Sequence, residues 1–471
     1  TLISEGGGVF DRKLKSITLS PQIKAWLGTE RDSMAPNELI HEILKAPADL
    51  LYNGGIGTYV KASHQPHSAA NDRTNDAVRV DGCQLRVKVV GEGGNLGFTQ
   101  AGRVEFAMKG GLIFTDAIDN SAGVDCSDHE VNIKILLGSV VAAGDMTLKQ
   151  RNVLLAEMTE EVGSLVLRNN YLQTQILAIN RYSSAQMLNA QSRLITAMEK
   201  SGELKRALEG LPSDEQIAER RANRQGLTAP EVAVLLAYSK IALDRALLAS
   251  DVPDEADFLP ILTAYFPQPL QQRFAEAMQN HHLKREIIAN QLANRIVNRM
   301  GITFAFRLRE EMGVSDADIA RAFWAADGIF AAEALWQRIE ALDNAISADI
   351  QVELMIRVRT LVERAARWIL HNRRHQEPIS ALLARYHASV QTLMNSLPSL
   401  VASADDENVA QMERHCLEQG VPAELAALIS RLDFAAAFFD IAELAEEGQL
   451  DREVVAANYF QLGKALELDW L

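Results

Sequence analysis

Asn95, Asn120 and Ser127 are the side chains whose types and spacing best suit the holding of a small polar ligand. The two asparagines stand just past the ends of two predicted parallel strands. A carboxamide there can donate and accept at once, as a ribose hydroxyl or a ligand amide requires. Asparagine is also a common turn residue, so the informative feature is the pair at corresponding strand ends. Ser127 opens the run Ser127-Asp128-His129-Glu130, an S-x-x-E pattern that predicts a capping box and a helix starting near Asp128. A serine hydroxyl at that helix start could also donate outward to a substrate carboxylate.

Other candidates carry less. The turn Gly91-Glu92-Gly93-Gly94-Asn95-Leu96-Gly97 follows a strand and precedes a helix, but Leu96 stands where a G-x-G-x-x-G fingerprint needs its last glycine. There is no P-loop lysine. His64 and His67 have H-x-x-H spacing in a polar loop without a nearby thiol, so no metal is expected. Cys126 has no histidine or asparagine arranged around it in a nucleophile signature and reads as an inert thiol. His281-His282 and Arg373-Arg374-His375 read as solvated helix ends.

These residues must be positioned by alternating elements. A helix is predicted over residues 37–45, strands over 48–52, 85–90 and 112–115, and a helix capped by Thr99 running to Lys109. Asn53-Gly54-Gly55 breaks the first strand, and residues 61–84 read as an aperiodic loop. Helix and strand in alternation with short turns imply a parallel sheet with crossover helices, an α/β arrangement of which only about half a doubly wound sheet is present. Of 28 glycines, 18 lie in residues 1–150 and 10 in the remaining 321. Long helical arrays exclude glycine, which places a boundary near 140: residues 1–139 are the α/β part and 140–471 a large all-α domain.

The whole composition sets outer bounds. At 471 residues more than one core is expected. A net charge of -15 argues against a nucleic-acid or anionic-membrane surface, since both demand clustered positive potential. Three widely separated cysteines, Cys83, Cys126 and Cys416, suit a reducing compartment, and with no apolar run of membrane length the expected location is cytoplasmic. The chain starts at a threonine and reads as a piece of something longer.

The motifs Glu92-Gly93-Gly94-Asn95 and Asn120-Ser121-Ala122-Gly123-Val124-Asp125-Cys126-Ser127 resemble the EGAN and NAGGVxxS motifs of amino-acid dehydrogenases of the glutamate dehydrogenase type. With residues 6–10 (GGGVF) and 46–63 (APADLLYNGGIGTYVKAS), the chain is similar to the C-terminal portion of the large bacterial NAD-specific glutamate dehydrogenases. The resemblance implies that residues 1–139 are the second half of an NAD-binding, Rossmann-like domain. It implies oxidative deamination of L-glutamate to 2-oxoglutarate and ammonia with NAD, in amino-acid catabolism, by a homo-oligomer.

Carried over residue by residue, Asn95 would meet the nicotinamide-side ribose and Asn120 the nicotinamide or nearby substrate. Val124 would line the side-chain pocket, and Ser127 would contact the distal carboxylate. The backbone of Asn53, Gly54 and Gly55 would flank the nicotinamide. Ser121 and Ala122 depart from the family's Ala and Gly, both small changes. The family's catalytic lysine and its pyrophosphate fingerprint fall upstream, so no catalytic residue is expected here and the chain alone is expected to be inactive. Two rival readings stay open: a non-catalytic helical assembly or regulatory module, and a dehydrogenase for another amino acid.

Overall fold

The computed structural model describes residues 3–401 and 407–466. The chain divides into two compact units, Thr1–Tyr238 and Ser239–Leu471.

In the first unit, α1 (Pro21–Leu27) and α2 (Pro36–Leu44) pack with the short antiparallel strands β1 (Ile17–Thr18) and β2 (Ser33–Met34). Each helix begins on a proline, whose missing N–H costs nothing there. Ile17, Leu19, Leu27, Met34, Leu39 and Ala46 make the apolar core of this part.

The parallel sheet is smaller than its sequence suggests. β3 (Leu50–Asn53) pairs in parallel with β6 (Val89–Glu92), so that Asn53 stands beside Glu92. The expected third strand contributes a single bridge, Val89 to Leu112. Between β6 and Leu112 runs α3 (Gln100–Met108), with the Thr99 hydroxyl accepting the Gly102 N–H as expected of a cap.

The expected loop over 61–84 is corrected. It holds β4 (Val60–Lys61) and β5 (Val80–Asp81), paired in parallel, and three 3-10 turns. Two-residue strands have no periodicity to read, and much of the order comes from one side chain. Arg79, buried, donates to the carbonyls of Thr58, His67 and Asp72 and pairs with Asp76. Val60, Val80, Leu85, Val90, Phe98, Phe106 and Ile113 close the core beneath.

Helices complete the first unit: α4 (Asp116–Asp119), α5 (Ser121–Ala142), α6 (Leu148–Glu157), α7 (Thr159–Tyr182), α8 (Ser184–Ser201) and α9 (Asp214–Ala222). α7 packs on both α4 and α5.

The second unit is helical throughout its described residues. Helices Asp316–Phe330, Ala348–His371 and Ile379–Leu400 pack on one another. Phe439 stacks on Trp368 at 4.4 Å between centroids and meets Phe330 and Tyr386 edge-on. The expectation of solvated helix ends fails in part. His281 is buried against Phe266, and Arg374 bonds Glu377 and Glu443. Phe266 and Glu443 stand far from these residues in sequence, so local sequence does not reveal them. No described helix is long and apolar enough to cross a membrane.

Candidate functional site

The ends of β3 and β6 are joined by close backbone contact. The Gly94 N–H donates to the Asn53 carbonyl at 2.8 Å. A Cβ on Gly94 would stand 2.6 Å from the Gly55 carbonyl oxygen, a backbone atom that cannot swing away. Glycine is therefore required there by close approach. Gly54 and Gly55 are exposed on the facing turn. The Asn53 carboxamide turns inward, against Gly97, and its buried Nδ2 finds no partner. Its carbonyl, rather than its side chain, is therefore the group that links the two strand ends.

Beneath the glycine turn lies a charged cluster that sequence reading missed. Glu92, fully buried, takes two bonds from Arg103, at 2.6 and 3.0 Å, and accepts the Phe98 N–H at 3.2 Å. Arg103 also reaches Asp116 at 3.1 Å. Asp116 accepts the Leu96 N–H at 2.7 Å, and Asp119 accepts the Glu92 N–H at 2.8 Å. Burial pushes the Glu92 carboxyl above its ordinary value against the pull of Arg103, and burial likewise raises Asp119 against the Glu92 N–H. The available signal was the paired occurrence of Glu92 and Arg103, each beside a turn or cap residue already singled out. Leu96, in the middle of the turn, sits in the left-handed region at φ 60°, held there by its N–H to Asp116 and its carbonyl from Thr58.

Asn95 and Asn120 meet. Asn120 Nδ2 donates to Asn95 Oδ1 at 3.1 Å. Asn120 ends α4 and precedes α5, yet its side chain caps neither. Its carboxamide is committed to Asn95, and Asn95 Nδ2 and Asn120 Oδ1 keep further bonding capacity.

The predicted helix start near Asp128 is corrected: α5 begins at Ser121. Ser127 lies within the helix, and its hydroxyl donates to the Gly123 carbonyl at 3.2 Å instead of closing a capping box. An S-x-x-E spacing signals a cap only at a helix end, and here the end lies six residues earlier. The correction has a consequence for placement. Asn120, Val124 and Ser127 fall at i, i+4 and i+7, on one face of α5. Val124 is 70% exposed and Ser127 is also exposed, so the stripe is open to solvent.

All seven residues singled out by sequence thus belong to three neighbouring features: the β3 end, the glycine turn after β6, and the start of α5. His67 lies elsewhere, its Nδ1 3.1 Å from Arg79 Nη1. Among the described residues no group of three or more His, Cys, Asp or Glu side chains could hold a metal ion.

Residues 1–180 match the family model described as bacterial NAD-glutamate dehydrogenase, catalytic domain. Three curated relatives bear the name NAD-specific glutamate dehydrogenase. The chain is 47% identical over 469 residues to the one from Pseudomonas aeruginosa. It is 42% identical over 470 residues to that from Halomonas elongata and 42% over 477 to that from Mycobacterium tuberculosis. Each match covers 100% of this chain and 29% of the relative's length. Residues 224–471 match the family model for the C-terminal part of glutamate dehydrogenase, and with these relatives the chain belongs to the bacterial NAD-specific glutamate dehydrogenase family.

Proposed function

We propose that residues 1–139 form the nicotinamide-side wall of an NAD-dependent glutamate dehydrogenase. The reaction is the oxidative deamination of L-glutamate to 2-oxoglutarate and ammonia. The observation that carries the reading is the Asn95–Asn120 hydrogen bond, which joins the two family motifs, one in the turn after β6 and one at the α4–α5 joint. Ligands of open α/β sheets bind at the carboxyl ends of the strands; Asn95 lies just past the end of β6, and Asn120, at the α4–α5 joint, is bonded to it.

The residues present fit one half of the cofactor. The remaining hydrogen-bonding capacity of Asn95 and Asn120 suits a ribose hydroxyl and a nicotinamide amide, and the exposed Gly54-Gly55 turn lets a flat ring approach backbone. This wall reads as the second half of a Rossmann-like domain, in a chain that spans 29% of its relatives' length. Bound here, NAD would supply the acceptor for a hydride from the substrate's α-carbon. The residues of this chain orient: Asn95 holds the nicotinamide-side ribose, Asn120 sets the ring's plane, Val124 offers apolar contact to the substrate's methylenes, and the Ser127 hydroxyl, turned away from the Gly123 carbonyl, donates to the distal carboxylate. The proton-handling lysine of the family is outside this chain, and no residue here is assigned that step. A homo-oligomeric assembly and a cytoplasmic location belong to the same reading.

Glutamate-dependent NADH formation tests it, measured on the 471-residue chain and on the complete enzyme that carries it. Turnover is expected only from the complete enzyme. Turnover by the chain alone would overturn the division of the active site proposed here.

A further inference from the structure

α4 is a single helical turn of four residues, too short to hold its own register, because fixing one turn costs more than its few hydrogen bonds return. Side chains hold it from two sides. On the sheet side, Asp116 accepts the Leu96 N–H and Asp119 accepts the Glu92 N–H. On the other side stands α7. Asn170 Nδ2 donates to the Ile118 carbonyl at 2.8 Å and to Ser121 Oγ at 2.9 Å. Ile118 and Ser121 flank Asn120, so one carboxamide spans the joint from which Asn120 projects. The adjacent Asn169 bonds Asp125 Oδ2 at 2.8 Å, more than a turn farther along α5. Asn169 thus seats the body of α5 on α7, whereas Asn170 acts where the chain turns.

We propose that Asn170 is a positioning residue for the dehydrogenase site: it fixes the α4–α5 joint and through it the direction of the Asn120 carboxamide toward Asn95. This rests on the reading of Asn120 as part of the nicotinamide wall. Asn170 reaches no ligand itself. Its donor pair decides whether Asn120 meets the ring or is displaced, and a displacement of about 1 Å at such a site can cost about a hundredfold in rate.

The test uses steady-state kinetics of the complete enzyme. Asn170→Asp keeps the side chain's size and removes both donors, and should raise KM for NAD by about tenfold. Asn169→Ala, which loosens α5 without touching the joint, should lower the unfolding midpoint and leave that KM unchanged. The decisive comparison is made in an Asn120→Ala background, where Asn170→Asp should add no further change in KM for NAD, because the residue through which it acts is gone. If Asn170→Asp does not fold, Ser121→Ala removes one of the two acceptors and must give a smaller increase that also vanishes with Asn120→Ala.

An unchanged KM for NAD in folded Asn170→Asp, or an effect that multiplies with that of Asn120→Ala, overturns this proposal and leaves the wall reading standing. Asn120→Ala with unaltered KM for NAD overturns the wall reading and this proposal together.

Discussion

Asn120 Nδ2 donates to Asn95 Oδ1 across 3.1 Å, tying the start of α5 to the glycine turn that ends β6. Neither residue serves the local role that asparagine commonly fills: Asn120 leaves α5 uncapped, and Asn95 is exposed on a turn already held by Asp116 and Thr58. Two side chains that could each satisfy a nearby backbone group satisfy one another instead.

That pairing makes the two residues act as a unit. In the complete enzyme, Asn95→Ala and Asn120→Ala should each raise KM for NAD, and the double variant should fall short of the product of the two. The expected coupling is about 1 kcal/mol, the net worth of one hydrogen bond. Kinetics on the three variants measure it, and strict multiplicativity would mean the contact carries no functional coupling.

Ser127 separates a binding role from a helix-capping role. A cap replaced by alanine costs about 1 kcal/mol of stability, but Ser127 is exposed within α5 and bonds only its own helix. Ser127→Ala should therefore leave the unfolding midpoint unchanged while raising KM for glutamate in the complete enzyme. A lowered midpoint with unchanged KM would return the residue to structure alone.

The two strand-end turns differ in what they tolerate. Gly94→Ala drives a methyl into the Gly55 backbone and should cost about 1–3 kcal/mol, whereas Gly55→Ala meets open space and should be nearly silent in denaturant unfolding. Equal effects would contradict the close approach of the turns.

Arg103 holds the turn from below. Arg103→Ala leaves Glu92 buried and uncompensated, and about 3–5 kcal/mol of stability should be lost. Arg103→Ala with Glu92→Gln should recover part of that loss, since the stranded charge is then removed. Chemical denaturation of both variants gives the comparison.

In the second unit, Glu363 is partly buried, yet bonds from Arg307 and Arg367 outweigh that desolvation and hold its carboxyl below the ordinary 4.5. A depressed carboxylate stabilises the fold fully at pH above 4.5, and that contribution is lost as pH falls through the lower folded value. Glu363→Gln should flatten the acid limb of the stability profile while lowering its plateau at neutral pH. A profile parallel to that of the unsubstituted chain would exclude Glu363 as a source of the acid sensitivity.

Residue types and spacing picked out residues that the structure brings into neighbouring features of the candidate site. Thr99 caps α3 as its position implied, the helix over 37–45 forms within a residue of expectation, and the two asparagines meet. What could not be read was tertiary in origin. β4 and β5 are too short to show a period, and Arg79 orders its loop through carbonyls distant in sequence. Likewise, α5 begins at Ser121 without any capping side chain, while a cap-like S-x-x-E sits inside it. The buried Glu92–Arg103 pair has its meaning only once the turn folds over it.

A structure of the complete enzyme with NAD and 2-oxoglutarate bound tests the central claim most directly. The account predicts the nicotinamide ribose and carboxamide within about 3 Å of Asn95 and Asn120, and the distal carboxylate of 2-oxoglutarate at the same range from Ser127 Oγ. A nicotinamide ring seated away from the ends of β3 and β6, with both asparagines bonded only to each other, would contradict it.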